Sequence, residues 1–436
     1  MRRLLQMTST ISDRSEIFSS KKVTNFVLFE NGKLKNIDTD LQHGYSLRII
    51  KDNKIGFAYT KNLRKRKELL DNCLASLKGQ VEANFNFPLT KEYPKLTTYS
   101  ASLNVQSNRD LVEEGQRICS FLRPRINGQF NITAGNSIER LRIMNSTGTD
   151  IRMRTSQYVI ALSFVYPNSY AALRRLFACT DFKQIQRHEL MMMIDLYNHS
   201  SKTVKPNTKR MKVIFMPESM HTFTWRLQSA TNGAAVYEKQ SPVSDRLGEK
   251  LFAKELTVYN DPLNDAMPGA RSVDDEATLC RNFPIVTNGV LTNFYYDLYY
   301  AEKSKVKPTG HGFKNAQWSG EAISLKPSPS LQHLHIQTGK ESLNKLIEKM
   351  DEGIIVGGAL GAHSGNIVNG DYSIGLSPGL YVKNGEVIGR VKDTMIAGNI
   401  YNTMKKIIAI EDTAHLTHTG VFPAILFDDV SVATSK

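Results

Sequence analysis

The residue types able to do metal or hydrolytic chemistry are thinly spread. His188-Glu189 would open an HExxH helix, in which two imidazoles one turn apart hold zinc and the glutamate serves as base. Position 192 is methionine, however, and the next histidine, His199, lies three helical turns on. The pair therefore reads as part of an amphipathic helix. His333 and His335, two apart on an expected strand, share a face and could chelate a metal if a third ligand came from elsewhere. His311, His363, His415 and His418 occupy the same half of the chain. Polar alternation on a wet strand accounts for the pair equally. No GxSxG is present to mark a nucleophile elbow. The run Gly357-Gly358-Ala-Leu-Gly361-Ala-His-Ser-Gly365 lacks the closing Gly-Lys-Ser/Thr of a phosphate cradle and sits in a β-rich half, which argues against nucleotide binding.

The elements that must position these residues follow from turn chemistry and periodicity. Segments 24–29 and 34–37 flank Asn31-Gly32, and 46–50 and 55–59 flank Asp52-Asn53, which predicts two hairpins. Asn62 and Asn108 can each cap a helix with one apolar face. Strands are expected near Phe130, at 138–144 and at 151–165, and a helix over 181–198. Segment 200–210 is the linker candidate. Beyond it, 211–216 reads as a buried strand and Pro217 opens a helix running toward Asn232-Gly233. The remainder is mostly β: Asn288-Gly289 and Asn384-Gly385 sit in tight-hairpin patterns, and the glycine density of 353–379 suits strands and loops closely approached by other backbone. A short helix is expected from 397–399 through Ile408, then final strands over 421–432.

Composition sets outer bounds. The chain of 436 residues, 41% hydrophobic and 22% charged, is globular in type, with two to three domains expected from its length. The apolar runs fall far short of the roughly 20 residues that span a bilayer. The Met1-Arg2-Arg3 start lacks the apolar run of a signal peptide. Cys73, Cys119, Cys179 and Cys280 have no CxxC spacing and read as reduced thiols, so a cytoplasmic, non-membrane protein is expected. The net charge of +14 would by itself favour an anionic partner. Its basic residues, however, occur in short separated groups (64–67, 209–212, 303–307, 405–406) with no nucleic-acid-binding motif beside them, which argues against nucleic acid as a partner.

Several segments, taken in order, resemble the TldD/PmbA (TldE) family, whose members are called modulators of DNA gyrase and are associated with metallopeptidase activity. They include Gly361-Ala-His-Ser-Gly-Asn366-Ile-Val-Asn369-Gly-Asp-Tyr-Ser373-Ile-Gly375, Val382-Lys-Asn-Gly-Glu-Val387 and Ile396-Ala-Gly-Asn399. Gly233-Ala-Ala-Val-Tyr237, Asp245-Arg-Leu-Gly248, Pro308-Thr-Gly-His311 and the early hairpins extend the likeness over most of the chain. The resemblance implies that TldD-like members carry HExxxH on the helix after the 211–216 strand, with a cysteine near the C-terminus completing a zinc site. Here that helix reads Glu218-Ser-Met-His221-Thr-Phe-Thr224-Trp-Arg-Leu-Gln-Ser229-Ala. Thr224 and Ser229 fall at the histidine positions, and no cysteine follows Cys280.

Neutral hydroxyls bind zinc weakly beside imidazole or thiolate, so no zinc centre and no catalytic residue are expected in this chain. The type it resembles is the non-zinc PmbA/TldE subunit. By resemblance such a subunit forms a homodimer, or a heterodimer with a TldD-like chain, and the zinc-bearing chain of the pair cleaves extended or unfolded peptides. The expected fold class is α+β: an N-terminal sheet-and-helix domain over 1–205, then a β-rich, barrel-like domain over 206–436. A β-rich, glycine-lined half suits an extended peptide, with Thr309, Gly310, His311, Asn369, Gly370, Asp371, Tyr372 and Ser373 as candidate groove residues; shaping turns and subunit contacts is the alternative role for them. Two rival functions remain at this point. One is a hydrolase with a displaced metal site drawn from His221, His311, His333 or His335. The other is a nucleic-acid or gyrase-binding protein, whose binding would weaken steeply with salt.

Overall fold

Left-handed turn residues set the hairpins in both halves. In the computed structural model, which describes residues 1–315 and 320–434, both central residues have positive φ at Asn31-Gly32 (48°, 74°), Asp52-Asn53 (49°, 57°), Asn288-Gly289 (49°, 81°) and Asn384-Gly385 (53°, 73°). This is the signature of the type I′ turn, whose twist matches that of the flanking strands.

The N-terminal half is one antiparallel sheet with helices against it. Its strands are β1 (Arg14–Glu30), β2 (Lys33–Lys51), β3 (Lys54–Thr60), β4 (Gln129–Asn145), β5 (Asp150–Val165) and β6 (Ala172–Cys179), in the order β3-β2-β1-β4-β5-β6. Alternation along β1 sends Ile17 and Val27 to one face and Glu16 and Phe18 to the other. Ile17 packs with Leu47, Leu69 and Cys73, under the helix Arg66–Ser76. Val27 packs with Ile132, Ile160 and Leu162, under the helices Asn108–Leu122 and Arg187–His199. Each such aliphatic side chain contributes roughly 1.5–3 kcal/mol when fully buried.

Helix starts move relative to the sequence expectation because local caps decide them. The helix expected after Asn62 begins at Arg66, and Asn62 instead accepts the Arg64 N–H at 3.0 Å in a preceding turn. The second is capped by Ser107, whose N–H donates to Asp110 Oδ2 at 2.6 Å. The third begins at Arg187, not 181, because Gln186 and Glu189 form a capping box. Glu189, half of the His188-Glu189 pair, thus serves helix initiation.

In the C-terminal half two sheets enclose one helix. A ten-stranded sheet runs from an edge at Ala359–Leu360 through the central strands Ile425–Thr434, Lys209–Phe215 and Gly353–Val356 to an edge at Thr203–Val204. With two open edges it is a half-barrel. A six-stranded sheet from Val290–Leu291 to His415–Leu416 lies on the other side. Between them the helix His221–Thr231 buries Phe223, Leu227 and Ala230 among Phe215, Val258, Leu334, Tyr372 and Phe427. The Phe223 ring meets Phe215 at 4.5 Å and Tyr372 at 5.3 Å between centroids. The helix Leu343–Met350 covers the opposite face of the larger sheet.

Two local expectations are corrected. The helix expected through Ile408 stops at Thr403, because the isoleucine-rich segment Ile407–Ile410 pairs with the 425–427 end of the last strand. Within the proposed 200–210 linker, Thr203–Val204 pairs with Arg390 and Val391, and Lys209 already belongs to the large sheet.

The halves meet over buried charge. Arg48 donates from Nε to Glu16 at 3.0 Å and from a terminal nitrogen to Glu276 at 2.6 Å, and all three side chains are nearly inaccessible. Beside them Lys314 donates to Ser46 Oγ at 3.0 Å and to the Leu325 carbonyl at 2.7 Å. Burial first, then the Arg48 charge, holds the Lys314 ammonium down to about 7, while burial and then Glu276 push the Asp297 carboxyl up to about 8. Among the described residues no helix is long and apolar enough to cross a membrane.

Candidate functional site

The helix His221–Thr231 carries two stripes. Met220, Phe223, Leu227 and Ala230 face the core. His221, Thr224, Trp225, Gln228 and Ser229, spaced for a second stripe, line a cavity of about 790 Å3. Pro217 sits in the turn that delivers this helix, and Ser219 Oγ donates to the Val356 carbonyl at 3.1 Å, tying the turn to the adjoining strand. The facing wall is the glycine-rich segment, through Ala359, Gly361, Ala362 and His363, and a third comes from the C-terminal loop at His418 and Thr419.

A second cavity of about 490 Å3 shares His221, Ala359, His418 and Thr419 with the first, so the two form one groove. The extension runs onto the N-terminal sheet. There Asn131, Ser163 and Arg174 are directly paired across β4, β5 and β6, as are Thr133, Ala161 and Leu176, and both rows line the groove. Among the described residues the edge strand Ala359–Leu360 pairs on one side only, with Leu376 and Gly375. The groove therefore has for a floor a sheet face with one polar row (Asn131, Ser163, Arg174) beside a more apolar one (Thr133, Ala161, Leu176), and an open strand edge in its wall.

Arg226 holds that wall in place. Fully buried, it donates from Nε to the Asp371 carbonyl at 2.6 Å and from its terminal nitrogens to Thr222 (2.8 Å), Ala362 (3.0 Å) and Ser364 (2.7 Å). Three of those carbonyls belong to the 362–371 loop. Burial lowers the pKa of this guanidinium, and carbonyl oxygens compensate its charge. Sequence reasoning missed Arg226; the available signal was a lone cation on the apolar stretch of a helix.

His221 is held toward its neutral form. Burial, then Arg226, lowers the His221 pKa, and the Glu218 carbonyl lies 2.9 Å from Nδ1. In the neutral ring that places the proton on Nδ1 and leaves Nε2 as an acceptor. Glu218 itself is paired with Arg175 of β6 at 3.0 Å, bridging the two halves beneath the groove.

The other histidine candidates lie outside this lining. Asn260 Nδ2 lies 3.2 Å from His311 Nε2, so Nε2 accepts and Nδ1 donates to Thr309 Oγ1 at 2.8 Å. Burial, then Arg281, pushes the His311 pKa down to about 3. Asn260 Oδ1 also accepts the His333 N–H at 2.8 Å, and burial, then Arg271, takes His333 to about 4. His335 stacks on Tyr259 with centroids 5.2 Å apart. Among the described residues no three His, Cys, Asp or Glu side chains come together to hold a metal.

None of the eight peptide-groove candidates lines the groove. Thr309 and His311 are buried in the Asn260 network, and Gly310 turns between them at φ 78°, where a Cβ would lie 2.3 Å from the Leu279 carbonyl oxygen. Tyr372 is in the core, its hydroxyl 2.8 Å from Thr403 Oγ1. Asp371 accepts from Asn399 Nδ2 at 2.9 Å, and Asn399 Nδ2 also donates to the Asn369 carbonyl. Gly370 (φ 86°) abuts Ile400 and Tyr401, and Ser373 pairs with Ala397 in the sheet.

The positions set by resemblance against zinc-binding imidazoles do line the groove. Thr224 Oγ1 donates to the Met220 carbonyl at 3.3 Å, and Ser229 offers a second neutral hydroxyl. Among the described residues lining this cavity there is no thiolate or carboxylate, and two neutral hydroxyls do not fit zinc.

Comparison with known proteins gives a consistent picture. Residues 208–434 match the model of the PmbA/TldA metallopeptidase C-terminal domain, and residues 15–77 that of the PmbA/TldA metallopeptidase domain 1. An uncharacterised protein of Methanocaldococcus jannaschii is 23% identical over 94% of this chain and 95% of its own length. A metalloprotease of Methanothermobacter thermautotrophicus is 22% identical over 91% of this chain and 88% of its own length. The crystal structure of TldE from Thermococcus kodakarensis superposes with a TM-score of 0.90 at 22% identity, covering 99% of both chains, and so shares the fold.

Proposed function

The chain belongs to the PmbA/TldD metallopeptidase family, and from that premise we propose that it is the non-zinc, TldE-type subunit of a peptidase pair, which receives an extended peptide for a zinc-bearing TldD-like partner to cleave. The observation that carries this reading is the make-up of the groove over the helix His221–Thr231. Hydroxyls of Thr224 and Ser229 stand where catalytic relatives are expected to present imidazoles, yet the cavity of about 790 Å3 remains large enough for several residues of substrate. A binding site is kept while the hydrolytic metal chemistry is not.

The walls suit extended backbone. The open edge of Ala359–Leu360 can pair with any sequence through main-chain bonds, and side chains along the helix stripe supply selectivity. On this reading the working form is a heterodimer, with a homodimer as the resting alternative, and zinc enters only with the partner.

The test is co-expression with a zinc-bearing relative. A stable complex that degrades an unfolded peptide when neither chain does so alone supports the proposal. Stoichiometric zinc in the purified chain, together with unaided digestion of casein, refutes it.

A further inference from the structure

The charge lining the groove is one-sided. Among the described residues lining the two cavities, Glu218 is the single carboxylate, and Arg175 takes it up in a pair whose side chains are 4% and 17% exposed. What remains is Arg174. Its side chain is exposed on the groove floor, and among the described residues no hydrogen bond or ion pair occupies its guanidinium. The chain as a whole carries +14, so the surrounding field draws anions toward this cation.

Strand register places useful neighbours beside it. Arg174 is directly opposite Ser163, which is directly opposite Asn131, so the three side chains share one face of the sheet. Directly paired side chains on a sheet lie about 5 Å apart at Cβ. A guanidinium fork, a hydroxyl and an amide thus form a row of donors across three strands. That row suits a carboxylate: the fork can bind both oxygens, and the hydroxyl and amide can complete their hydrogen bonds. It sits in the part of the groove that shares His221 and Ala359 with the cavity over the helix, so a peptide along the open strand edge would reach it.

Resting on the peptide-binding reading, we propose that the groove selects extended peptides bearing a carboxylate, and that Arg174, flanked by Ser163 and Asn131, is the residue that reads it. Neutral peptides bind through backbone alone, and basic peptides are disfavoured by Arg174.

The test uses the full-length protein and fluorescein-labelled unstructured 12-residue peptides of Ser and Gly with three interspersed Glu, Gln or Lys, each made as free acid and as C-terminal amide. Fluorescence anisotropy at low salt should give a Kd for the Glu peptide roughly ten- to a hundredfold below that for the Gln peptide. A Glu preference retained in the amides assigns the reading to side chains; equal binding of the Glu and Gln free acids, weakened in both by amidation, assigns it to a terminal carboxylate. Arg174→Ala should bring Glu and Gln peptides to equal affinity, and Arg174→Glu should favour the Lys peptide, with unchanged thermal unfolding because the site is on the surface. Equal binding of Glu, Gln and Lys peptides by the wild type, in both terminal forms, overturns the selectivity while leaving peptide binding intact. An unaltered preference in Arg174→Ala overturns the role of that residue. If no peptide binds at all, the groove reading falls and takes this inference with it.

Discussion

Replacing Arg226 by Ala tests how the groove wall is held. The side chain donates four hydrogen bonds to carbonyls, three of them on the 362–371 loop, and it is fully buried. A charge-assisted hydrogen bond contributes about 1.5–3 kcal/mol net, so three to the loop set a ceiling near 5–9 kcal/mol. Desolvation of the guanidinium already offsets part of this, as the lowered pKa indicates. Breaking a buried charged network typically costs about 3–5 kcal/mol, and that is the expected magnitude here. The loss falls first on the loop, because the helix keeps its own backbone bonds and its apolar stripe. Hydrogen exchange followed by mass spectrometry should therefore show protection of amides 362–371 reduced roughly 10²–10³-fold, while the central strand Lys209–Phe215 keeps its protection. Peptide affinity should fall in parallel. Arg226→Lys should recover a minor part, since an ammonium has three donors and cannot span carbonyls that a planar fork reaches from both ends. Exchange of 362–371 within threefold of wild type in a folded Arg226→Ala protein would refute the reasoning.

Two further outcomes follow from the Asn260 network. Because His311 titrates near 3 in the folded chain and near 6.5 when unfolded, the unfolded chain binds the extra proton between these values, and stability present above pH 6.5 is lost as pH falls. At pH 4.5 this amounts to about 2–3 kcal/mol. Urea unfolding at pH 7 and 4.5 should show that drop, and His311→Gln, which keeps a polar side chain but does not titrate, should lessen it; an identical pH dependence in the variant would contradict the assignment. Gly310→Ala places a Cβ 2.3 Å from the Leu279 carbonyl oxygen at φ 78°. The backbone conformation alone costs roughly 1–3 kcal/mol, so calorimetry should register a clear fall in melting temperature, and an unchanged Tm would mean that the loop is not built as described.

Much of the local structure was legible in the chain. The Asn-Gly and Asp-Asn turns, the alternation of β1 and the two-stripe periodicity of 220–230 depend on residues within a few positions of one another, so propensity and period suffice to read them. The missing imidazoles at 224 and 229 were equally plain. Boundaries slipped where a neighbour decided them: Ser107 capped in place of Asn108, and Ile407–Ile410 became a strand because Ile425–Phe427 offered it a partner.

The glycine-rich segment was legible as a place of close backbone approach but not as to which side faced the ligand. Gly370 does meet Ile400 and Tyr401, yet Tyr372 turns inward beneath Phe223, and the groove is lined instead by 359–363. The same holds for His311, whose tautomer is set by Asn260, and for Arg226, whose carbonyl partners arrive from 362–371.

By itself, then, the amino-acid order determined the turns, the helix stripes, the family likeness and the hydroxyls at 224 and 229 where the resemblance leads one to expect imidazoles. Only tertiary structure decided that Asn131, Ser163 and Arg174 stand in one row, that a strand edge near 359 faces them across a groove, and that a buried guanidinium holds the wall. The physical reason is that turns and helical faces are set by steric and hydrogen-bonding preferences within one or two turns of chain, whereas a groove is the surface left over when distant segments have satisfied their cores and buried polar groups.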